Sequence, residues 1–298
     1  MIDNSSPYEY PSPDRIIVIG DLHGDIKRLK DILINSSIIN NHLEWIANPP
    51  KTFVVQVGDQ LDSMNRNSDA GNWEKLNDIC LLHFTNSLDL IARGKGGRFI
   101  SLIGNHELMN VMGNFSYVSP QSMINDRRSM FRPKGSLSTL LSSRPVVLKI
   151  GNLFFCHAGI TKNHLEILDK HNKPISYLND IWKRFMLHNE VYDTDKDIFD
   201  NIITHPENGI LWTRNFGSED DISYVTNRLQ CQFVFVGHTA VTTISLVHNK
   251  IWLTDNGISR AFNSNSYQYI DIVNKELTIM SMSDEKKEKS DNIQTTST

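Results

Sequence analysis

The chain has few cysteines and no long apolar segment. Its 298 residues include only three cysteines, which are Cys80, Cys156 and Cys231. Three widely spaced cysteines do not form a disulfide framework or a Cys-x-x-Cys metal pair, so we expect a reducing, cytoplasmic setting. No apolar run approaches the ~20 residues of a membrane helix. The first ten residues lack the features of a signal peptide, and we therefore expect no membrane partner.

Strong charge of either sign is also absent. The formal net charge is -4, which provides no electrostatic case for a nucleic-acid partner. A chain of this length can bury one large core. We expect a monomer with a single domain over residues 1–282. The polar residues 283–298 are expected to form a disordered tail.

Apolar runs and helical patterns alternate along the first hundred residues. Strands are predicted at Arg15–Ile19, 52–57 and 99–103, and helices at 25–33 and 72–93. A hairpin turn is predicted at Gly151 and Asn152, followed by a mostly helical stretch over 161–230. Short strands are predicted at 233–236, 243–247, 251–254 and 269–273. The alternating order indicates a layered α/β fold.

Five short segments with metal-binding residue types each follow a strand-like apolar run. They are Gly20-Asp21-Leu22-His23-Gly24, Gly58-Asp59-Gln60-Leu61-Asp62, Gly104-Asn105-His106-Glu107, His157-Ala158-Gly159 and Gly237-His238-Thr239. Alone, each segment is more simply interpreted as a turn or a buried histidine. Because loops at strand ends converge on one edge of a sheet, the five together predict a single site.

The ligand types in these segments predict a hydrolytic site with two metal ions. Carboxylate, amide and imidazole ligands without thiolates suit Mn²⁺, Fe or Zn²⁺. Asp21 and His23, two residues apart on an extended segment, can face one ion. Asp59 can bridge two ions held ~3.5–4 Å apart, and such a pair makes hydroxide available near neutral pH.

The five segments resemble those of the calcineurin-like metallophosphoesterases, and the full Gly104-Asn105-His106-Glu107 is similar to that of the phosphoprotein phosphatases. Further stretches resemble the bacterial-type, Shewanella-like branch of that family: 104–111, 115–118, 131–137, 144–146, 211–214 and 255–259. The resemblance covers residues 14 to 262. It implies an α/β (α+β) fold in which two mixed β-sheets pack as a sandwich flanked by helices. It also implies a partly helical cap insert at about 161–230.

The resemblance implies a role for each motif residue. One metal ion would be held by Asp21, His23 and Asp59, and a second by Asp59, Asn105, His157 and His238. His106 would be the general acid, oriented by Asp62, and Arg214 would bind the phosphate oxygens. The implied enzyme is a metal-dependent phosphomonoesterase. It would hydrolyse phosphoprotein, at serine or threonine or at tyrosine, by attack of a hydroxide that bridges the two metals.

One residue of the family pattern is missing. The family has Arg-Gly after the second aspartate of Gly-Asp-x-x-Asp, and the arginine is a second phosphate clamp. Here Asp62 is followed by Ser-Met-Asn and then Arg66. Arg66 is a candidate substitute, and so are Arg128 and Arg132 in the basic run 127–134. Alternatively, Arg66 is a surface residue, and the basic run rims the substrate entrance or forms a solvated face.

The sequence also allows other interpretations of the helical stretch and of the metal site. Trp182, Phe185 and Met186 predict a local core, or alternatively a hydrophobic wall for the substrate. The same metal site could serve a hydrolase of dinucleoside polyphosphates or other small molecules, although no nucleotide pocket is evident. A non-catalytic scaffold that binds phosphoprotein is the third reading, and the missing arginine favours it.

Overall fold

The structure is a computed structural model that describes residues 8–63, 78–120, 122–262 and 264–284. Arg66 and residues 285–298 of the predicted tail lie outside this range. Within it, Cys156 and Cys231 are buried and Cys80 is exposed. None of the helices that the structure describes combines the length and apolar character of a membrane span.

The described residues form strands and helices that alternate over the first half of the chain. The strands are β1 (Glu9–Tyr10), β2 (Arg15–Ile19), β3 (Thr52–Gln56), β4 (Arg98–Ser101), β5 (Val147–Ile150), β6 (Leu153–Cys156), β7 (Phe233–Val236), β8 (Ser245–Val247), β9 (Ile251–Leu253), β10 (Ser266–Val273) and β11 (Glu276–Ser283). The α-helices are α1 (Ile26–Asn35), α2 (Asp78–Gly94), α3 (Asn105–Val111), α4 (Arg127–Phe131), α5 (Ser138–Ser142), α6 (Lys162–Lys170), α7 (Tyr177–His188), α8 (Lys196–Ile198) and α9 (Glu219–Arg228).

The strands belong to two mixed sheets. One sheet has the order β11-β10-β2-β3-β4, with β2, β3 and β4 parallel and β10 antiparallel to both of its neighbours. The other has the order β1-β5-β6-β7-β9-β8. In it, β5 and β6 form the predicted hairpin, with Ile150 opposite Leu153, and β6, β7 and β9 are parallel.

Alternation along the strands assigns each apolar side chain to one of three layers. Ile16 and Val18 of β2 share an apolar cluster with Phe155 and Phe235 of the other sheet. The alternate residues of β2, such as Ile17, instead pack with residues of α1 and α2. Because one face of each sheet contacts the other sheet and the opposite face contacts helices, the fold is an α/β sandwich. This confirms the predicted fold class.

The helices of residues 161–230 pack in a large cluster with the outer face of the six-stranded sheet. Trp182 and Met186 are fully buried in it, and the Trp182 Nε1–H donates to the carbonyl of Leu141 at 2.9 Å. Phe185 packs against the same cluster. These contacts support the interpretation of the three side chains as a local core. The cap role of 161–230 stays a prediction.

The C-terminal hairpin differs from the sequence-based expectation. β11 pairs with β10 along its whole length, and the turn residues Asn274 and Lys275 both have positive φ. Ser283 ends β11 and Asp284 lies 2.6 Å from Arg28, so the strand reaches the start of the expected tail, whose extent stays a prediction. An outer strand that is half-exposed carries only a weak apolar pattern, which is why the sequence did not indicate it.

Candidate metal centre and active site

All five motif segments begin one to three residues after the carboxyl end of a strand, as the sequence predicts. They follow β2, β3 and β4 in one sheet and β6 and β7 in the other. Because β2, β3 and β4 are parallel, and so are β6 and β7, the ends of each set lie at the same edge of their sheet. Hydrogen bonds between segments tie these ends together: the Gly237 N–H donates to the His157 carbonyl at 2.7 Å, and the Leu22 N–H to the Asp59 carbonyl at 2.9 Å.

Asp59 lies at the centre of the converging side chains. Two groups of three residues have possible ligand atoms within 4.8 Å of one another: His23, Asp59 and His106, and Asp59, His157 and His238. Asp59 is the member that the two groups share. Its carboxylate lies 3.3 Å from Nε2 of His157 and 3.8 Å from Nε2 of His106. The geometry therefore suits one carboxylate between two cations.

Each of three histidines has one ring nitrogen beside a backbone carbonyl oxygen at 2.9 Å. The pairs are His23 Nδ1 with Leu61, His157 Nδ1 with Val57, and His238 Nε2 with Trp212. A carbonyl can only accept, so in each neutral ring this nitrogen carries the proton and the other presents a lone pair. Such bonds orient imidazoles that bind metal ions.

The lone pairs of two of these histidines converge on Asn105. Its Oδ1 lies 2.8 Å from Nε2 of His157 and 2.9 Å from Nδ1 of His238. With both rings neutral, the carbonyl oxygen and the two nitrogens would all be acceptors, and no proton would lie between them. A shared cation satisfies all three atoms, so these residues fit a metal ion.

Asp21 also has an atom available for a cation. Its Oδ2 accepts from the His238 N–H at 3.0 Å, whereas Oδ1 is buried and has no hydrogen-bond partner among the described residues. Burial raises the pKa of Asp21, and the carboxylates of Asp255 and Asp59 raise it further. Asp21 lies outside both groups of three, but its buried, unpaired oxygen and crowded negative charge suit a metal ligand.

The pKa values of the site residues depend on burial and on neighbouring groups, among which the imidazole rings are prominent. Burial alone would raise the pKa of Asp59, but His157, His106 and His23 outweigh it and hold that pKa well below its usual value. Burial and His157 lower the pKa of His238 to about 3. Burial also favours the neutral ring of His157, yet Asp59 raises its pKa. A bound cation would displace a proton from His157.

His106 and Asp62 form a buried pair beside these groups. Nδ1 of His106 lies 2.7 Å from Oδ2 of Asp62, and the His106 N–H donates to Oδ1 of Asp59 at 2.9 Å. The His106 ring makes edge contacts with His23 and with Tyr117, at centroid distances of 4.9 and 5.2 Å. The predicted acid and its orienting carboxylate are therefore in contact, directly beside Asp59.

Four of the predicted site residues have left-handed backbone conformations. The φ angles are 38° for His23, 54° for Asp59, 67° for Asp62 and 60° for His238. This region is unfavourable for residues other than glycine and is often found at functional sites. Glu107 stabilises the loop with Asp59 and Asp62, because its carboxylate accepts four backbone N–H groups, those of Asp59, Gln60, Leu61 and Gly104.

The arginines predicted to bind phosphate occupy different places. Arg214 is exposed and its Nη2 lies 3.4 Å from the carbonyl oxygen of His238, so it is at the site. Arg128 and Arg132 are both exposed. The Arg128 guanidinium lies against Gly113, and among the described contacts neither arginine touches a predicted ligand. Arg66 lies outside the described residues.

One residue of the basic run is buried, contrary to the expectation of a solvated face. The interpretation of 127–134 as a solvated face is wrong for Arg127, which is 1% exposed. Arg127 forms an ion pair with Asp78 at 2.8 Å and donates to Asn110. Asp78, Asn110 and Arg127 were not predicted as site residues, and only the long-range contacts reveal them.

The profile of the calcineurin-like phosphoesterases matches residues 14–242. Shewanella-like protein phosphatase 1 of Plasmodium berghei (strain Anka) is 28% identical over 267 residues, which cover 82% of this chain and 67% of the relative. Shewanella-like protein phosphatase 2 of Arabidopsis thaliana is 33% identical over 114 residues, which cover 38% of this chain and only 26% of that relative.

Solved structures of cold-active protein tyrosine phosphatases share the fold. One matches with a TM-score of 0.72 at 21% identity, over 93% of this chain and 81% of that structure. Another, from a psychrophilic Shewanella species, matches with a TM-score of 0.70 at 22% identity, over 93% of this chain and 82% of that structure. The chain therefore belongs to the calcineurin-like phosphoesterases, a family of metal-dependent hydrolases of phosphoesters, and its relatives indicate the Shewanella-like phosphatase branch.

Proposed function

We propose that this protein is a metal-dependent phosphomonoesterase that removes phosphate from phosphoserine, phosphothreonine or phosphotyrosine in proteins. The ions would lie on the predicted ligands, one on Asp21, His23 and Asp59 and the other on Asp59, Asn105, His157 and His238. Mn²⁺ is the first ion to test, with Fe and Zn²⁺ as alternatives. That the protein is a free monomer and that it lies in the cytoplasm both remain predictions.

The contact between His106 and Asp62 is the observation that carries this proposal. A phosphate-binding scaffold needs cations but no proton donor, whereas ester hydrolysis needs a proton for the leaving oxygen. Asp62 binds Nδ1 of His106, which leaves Nε2 to face the side of Asp59. An acid held in this way, beside the shared metal ligand, favours catalysis over binding alone.

The residues of the chain have separate tasks in the proposed reaction. When bound, two divalent ions would acidify water and offset the negative charge on the phosphate oxygens. The oxygen of one water forms the new bond to phosphorus as the ester P–O bond breaks. His106 gives the Nε2 proton to the departing oxygen, and Asp62 stabilises the ring while it is charged. Arg214 binds phosphate oxygens at the mouth.

Two observations bear on the substrate. The Tyr117 ring lies against His106 and is 41% exposed, so an aromatic surface adjoins the proposed acid. The solved structures with this fold include protein tyrosine phosphatases. Both support including phosphotyrosine among the substrates that are tested first.

The test uses purified protein loaded with Mn²⁺ and three substrates: a phosphotyrosine peptide, a matched phosphothreonine peptide and diadenosine tetraphosphate. His106→Asn removes the proposed acid. His248→Asn is a matched control, because His248 is exposed in the turn before β9 and its φ of 50° suits asparagine. We expect peptide turnover that falls by about 10²-fold or more in His106→Asn and is unchanged in His248→Asn.

Other results would assign the rival functions. Turnover of the dinucleotide alone would identify a small-molecule hydrolase. If two ions bind and no substrate is turned over, the protein is a phosphoprotein-binding scaffold. A ratio of phosphotyrosine to phosphothreonine turnover far from one would define the residue preference.

A further inference from the structure

Behind the His106–Asp62 pair, four buried residues form a closed ring of hydrogen bonds, which we call the Asp62 ring. Its members are Asp62, Asp78, Asn110 and Arg127, and none is more than 1% exposed. Asp78 accepts from the backbone N–H of Asp62 at 3.2 Å and from both terminal nitrogens of Arg127 at 2.8 and 3.2 Å. The ring closes through Asn110, which bonds both Arg127 and Asp62.

The ring determines which oxygen of Asp62 is available to His106. The Arg127 Nε–H donates to Oδ1 of Asn110 at 2.7 Å, which fixes the amide so that its NH₂ group points the other way. That group donates to Oδ1 of Asp62 at 2.7 Å. Oδ2 of Asp62 is then the oxygen left for Nδ1 of His106. A change at Arg127 would therefore affect the position of His106 through the side chains of Asn110 and Asp62.

Arg127 also balances charge in this ring. Asp62 and Asp78 are two fully buried carboxylates, and Arg127 lies 2.8 Å from one and 3.7 Å from the other. Within the part of the chain that the structure describes, it is the one arginine or lysine within 4 Å of Asp62. Two buried carboxylates are costly without a nearby cation, so the Arg127 guanidinium stabilises the arrangement of Asp62 and Asp78.

Contacts around Arg127 fix its position and separate it from the substrate. Its guanidinium lies over the Phe131 ring at 4.7 Å, and Nη1 donates to the Ser122 carbonyl at 3.0 Å. At 1% exposure it has no open face for a phosphate. Arg127 therefore does not replace the phosphate-binding arginine that the family has after Asp62.

We propose that Arg127 is a positioning residue for the general acid, acting on His106 through Asn110 and Asp62. The inference rests on the proposed function, because it assumes that His106 protonates the leaving oxygen. It assigns the buried member of the basic run to proton delivery and not to substrate binding. Loss of Arg127 should thus lower kcat for esters that need a proton and leave KM unchanged.

Leaving-group dependence separates this role from a merely structural one. Phenyl phosphate has a poor leaving group that needs protonation, whereas 2,4-dinitrophenyl phosphate loses a stable anion without it. We expect Arg127→Gln to lower kcat for phenyl phosphate by about 10²-fold, since misplacing an acid costs that much. For 2,4-dinitrophenyl phosphate, kcat should change less than about threefold, with the same KM and Mn²⁺ content. A proportional loss on both substrates would overturn the proposal.

Two controls make the result specific. Arg228→Gln breaks an exposed ion pair with Asp169 and should leave both substrates unaffected. Adding Arg127→Gln to His106→Asn should cause no further loss on phenyl phosphate, because both changes remove the same proton transfer. A further loss as large as that in the wild-type background would overturn the proposal.

A second variant covers the case in which Arg127→Gln does not fold. Asp78→Asn combined with Arg127→Gln removes both charges of the pair together, and so avoids leaving Asp78 unpaired. The same selective loss on phenyl phosphate is expected, and its absence contradicts the inference. If His106→Asn lowers turnover of phenyl phosphate selectively but neither Arg127 variant does, the inference fails and the proposed function stands. If His106→Asn has no effect, the proposed function itself fails.

Discussion

The Glu107 carboxylate accepts the backbone N–H of Asp59 at 2.9 Å, although the two residues are 48 positions apart. The same carboxylate accepts the N–H of Gly104 in its own loop at 2.8 Å. Glu107 thus joins the loop of Asp59, the proposed shared metal ligand, to the loop of the proposed acid. The fourth residue of Gly-Asn-His-Glu therefore stabilises the site without reaching the substrate.

Replacing Glu107 by glutamine should destabilise the fold. Glu107 is fully buried and offers two oxygens to four N–H groups, whereas glutamine offers one oxygen and turns an NH₂ group towards the remaining donors. Leaving buried donors of this kind unpaired costs about 3 kcal/mol. Urea unfolding at pH 7 measures the loss, with the exposed Glu166→Gln on α6 as control. Equal stability of Glu107→Gln and the control would contradict this account.

Asp59→Asn should weaken the binding of both metal ions. Asp59 belongs to both groups of candidate ligands, and asparagine keeps its shape but removes its charge. Changes to residues that merely support a ligand cost 10–100-fold in metal affinity, so a shared ligand should cost about 10²-fold or more at each ion. Calorimetric titration with Mn²⁺ tests this, with Asp193→Asn, 93% exposed at its side chain, as control. Loss of one ion only would refute the bridging role.

Gly237→Ala should displace the Asp21 side chain, because there is no room for a methyl group at position 237. An ideal Cβ at this position would lie 2.0 Å from Oδ1 of Asp21, while the φ of Gly237 is not in the left-handed region. The effect is therefore steric and not conformational. We expect bound Mn²⁺ to fall from two ions towards one, measured by elemental analysis of dialysed protein. Gly94→Ala is the control, since a Cβ there meets nothing within 4 Å. Two tightly bound ions in Gly237→Ala would show that Asp21 is not a ligand.

The central strands and the candidate ligand residues that follow them could be recognised in the sequence, because both are local patterns. Continuous apolar runs mark buried parallel strands such as β2 and β7, and each candidate ligand lies one to four residues after the end of a strand. His23, Asp59, His157 and His238 accordingly come together in the structure. Because the strands within each set are parallel, their carboxyl ends lie at the same edge of their sheet.

Contacts between distant residues could not be predicted in this way. Arg127 appears in the sequence as one member of a basic run, yet its ion pair is with Asp78, 49 positions away. Similarly, Asn110 has no local feature that indicates its bond to Asp62. Burial decides the role of a charged side chain, and burial of a single arginine depends on the packing of several elements. The strand β11 was missed for a related reason, because its half-exposed pattern resembles a loop.

His164 should make the fold less stable as the pH falls. Burial lowers the pKa of His164 to about 4, from an ordinary value of 6.5. Its Nε2–H donates to the Asn208 carbonyl at 2.6 Å, and its Nδ1 accepts from the Thr161 N–H at 3.2 Å. Protonation of Nδ1 would remove that acceptor at the start of α6, so the folded state requires the neutral ring.

The sign of the pH effect follows from this preference. The unfolded chain takes up a proton near pH 6.5 and the folded chain only near pH 4, so the contribution of His164 is present above pH 6.5 and declines as the pH falls towards 4. Between pH 7 and pH 5 the loss should be about 2 kcal/mol. His164→Gln keeps an acceptor for Thr161 and cannot be protonated. Urea unfolding of both proteins at the two pH values measures the difference. If the wild-type protein and His164→Gln lose equal stability on acidification, His164 is not the group responsible.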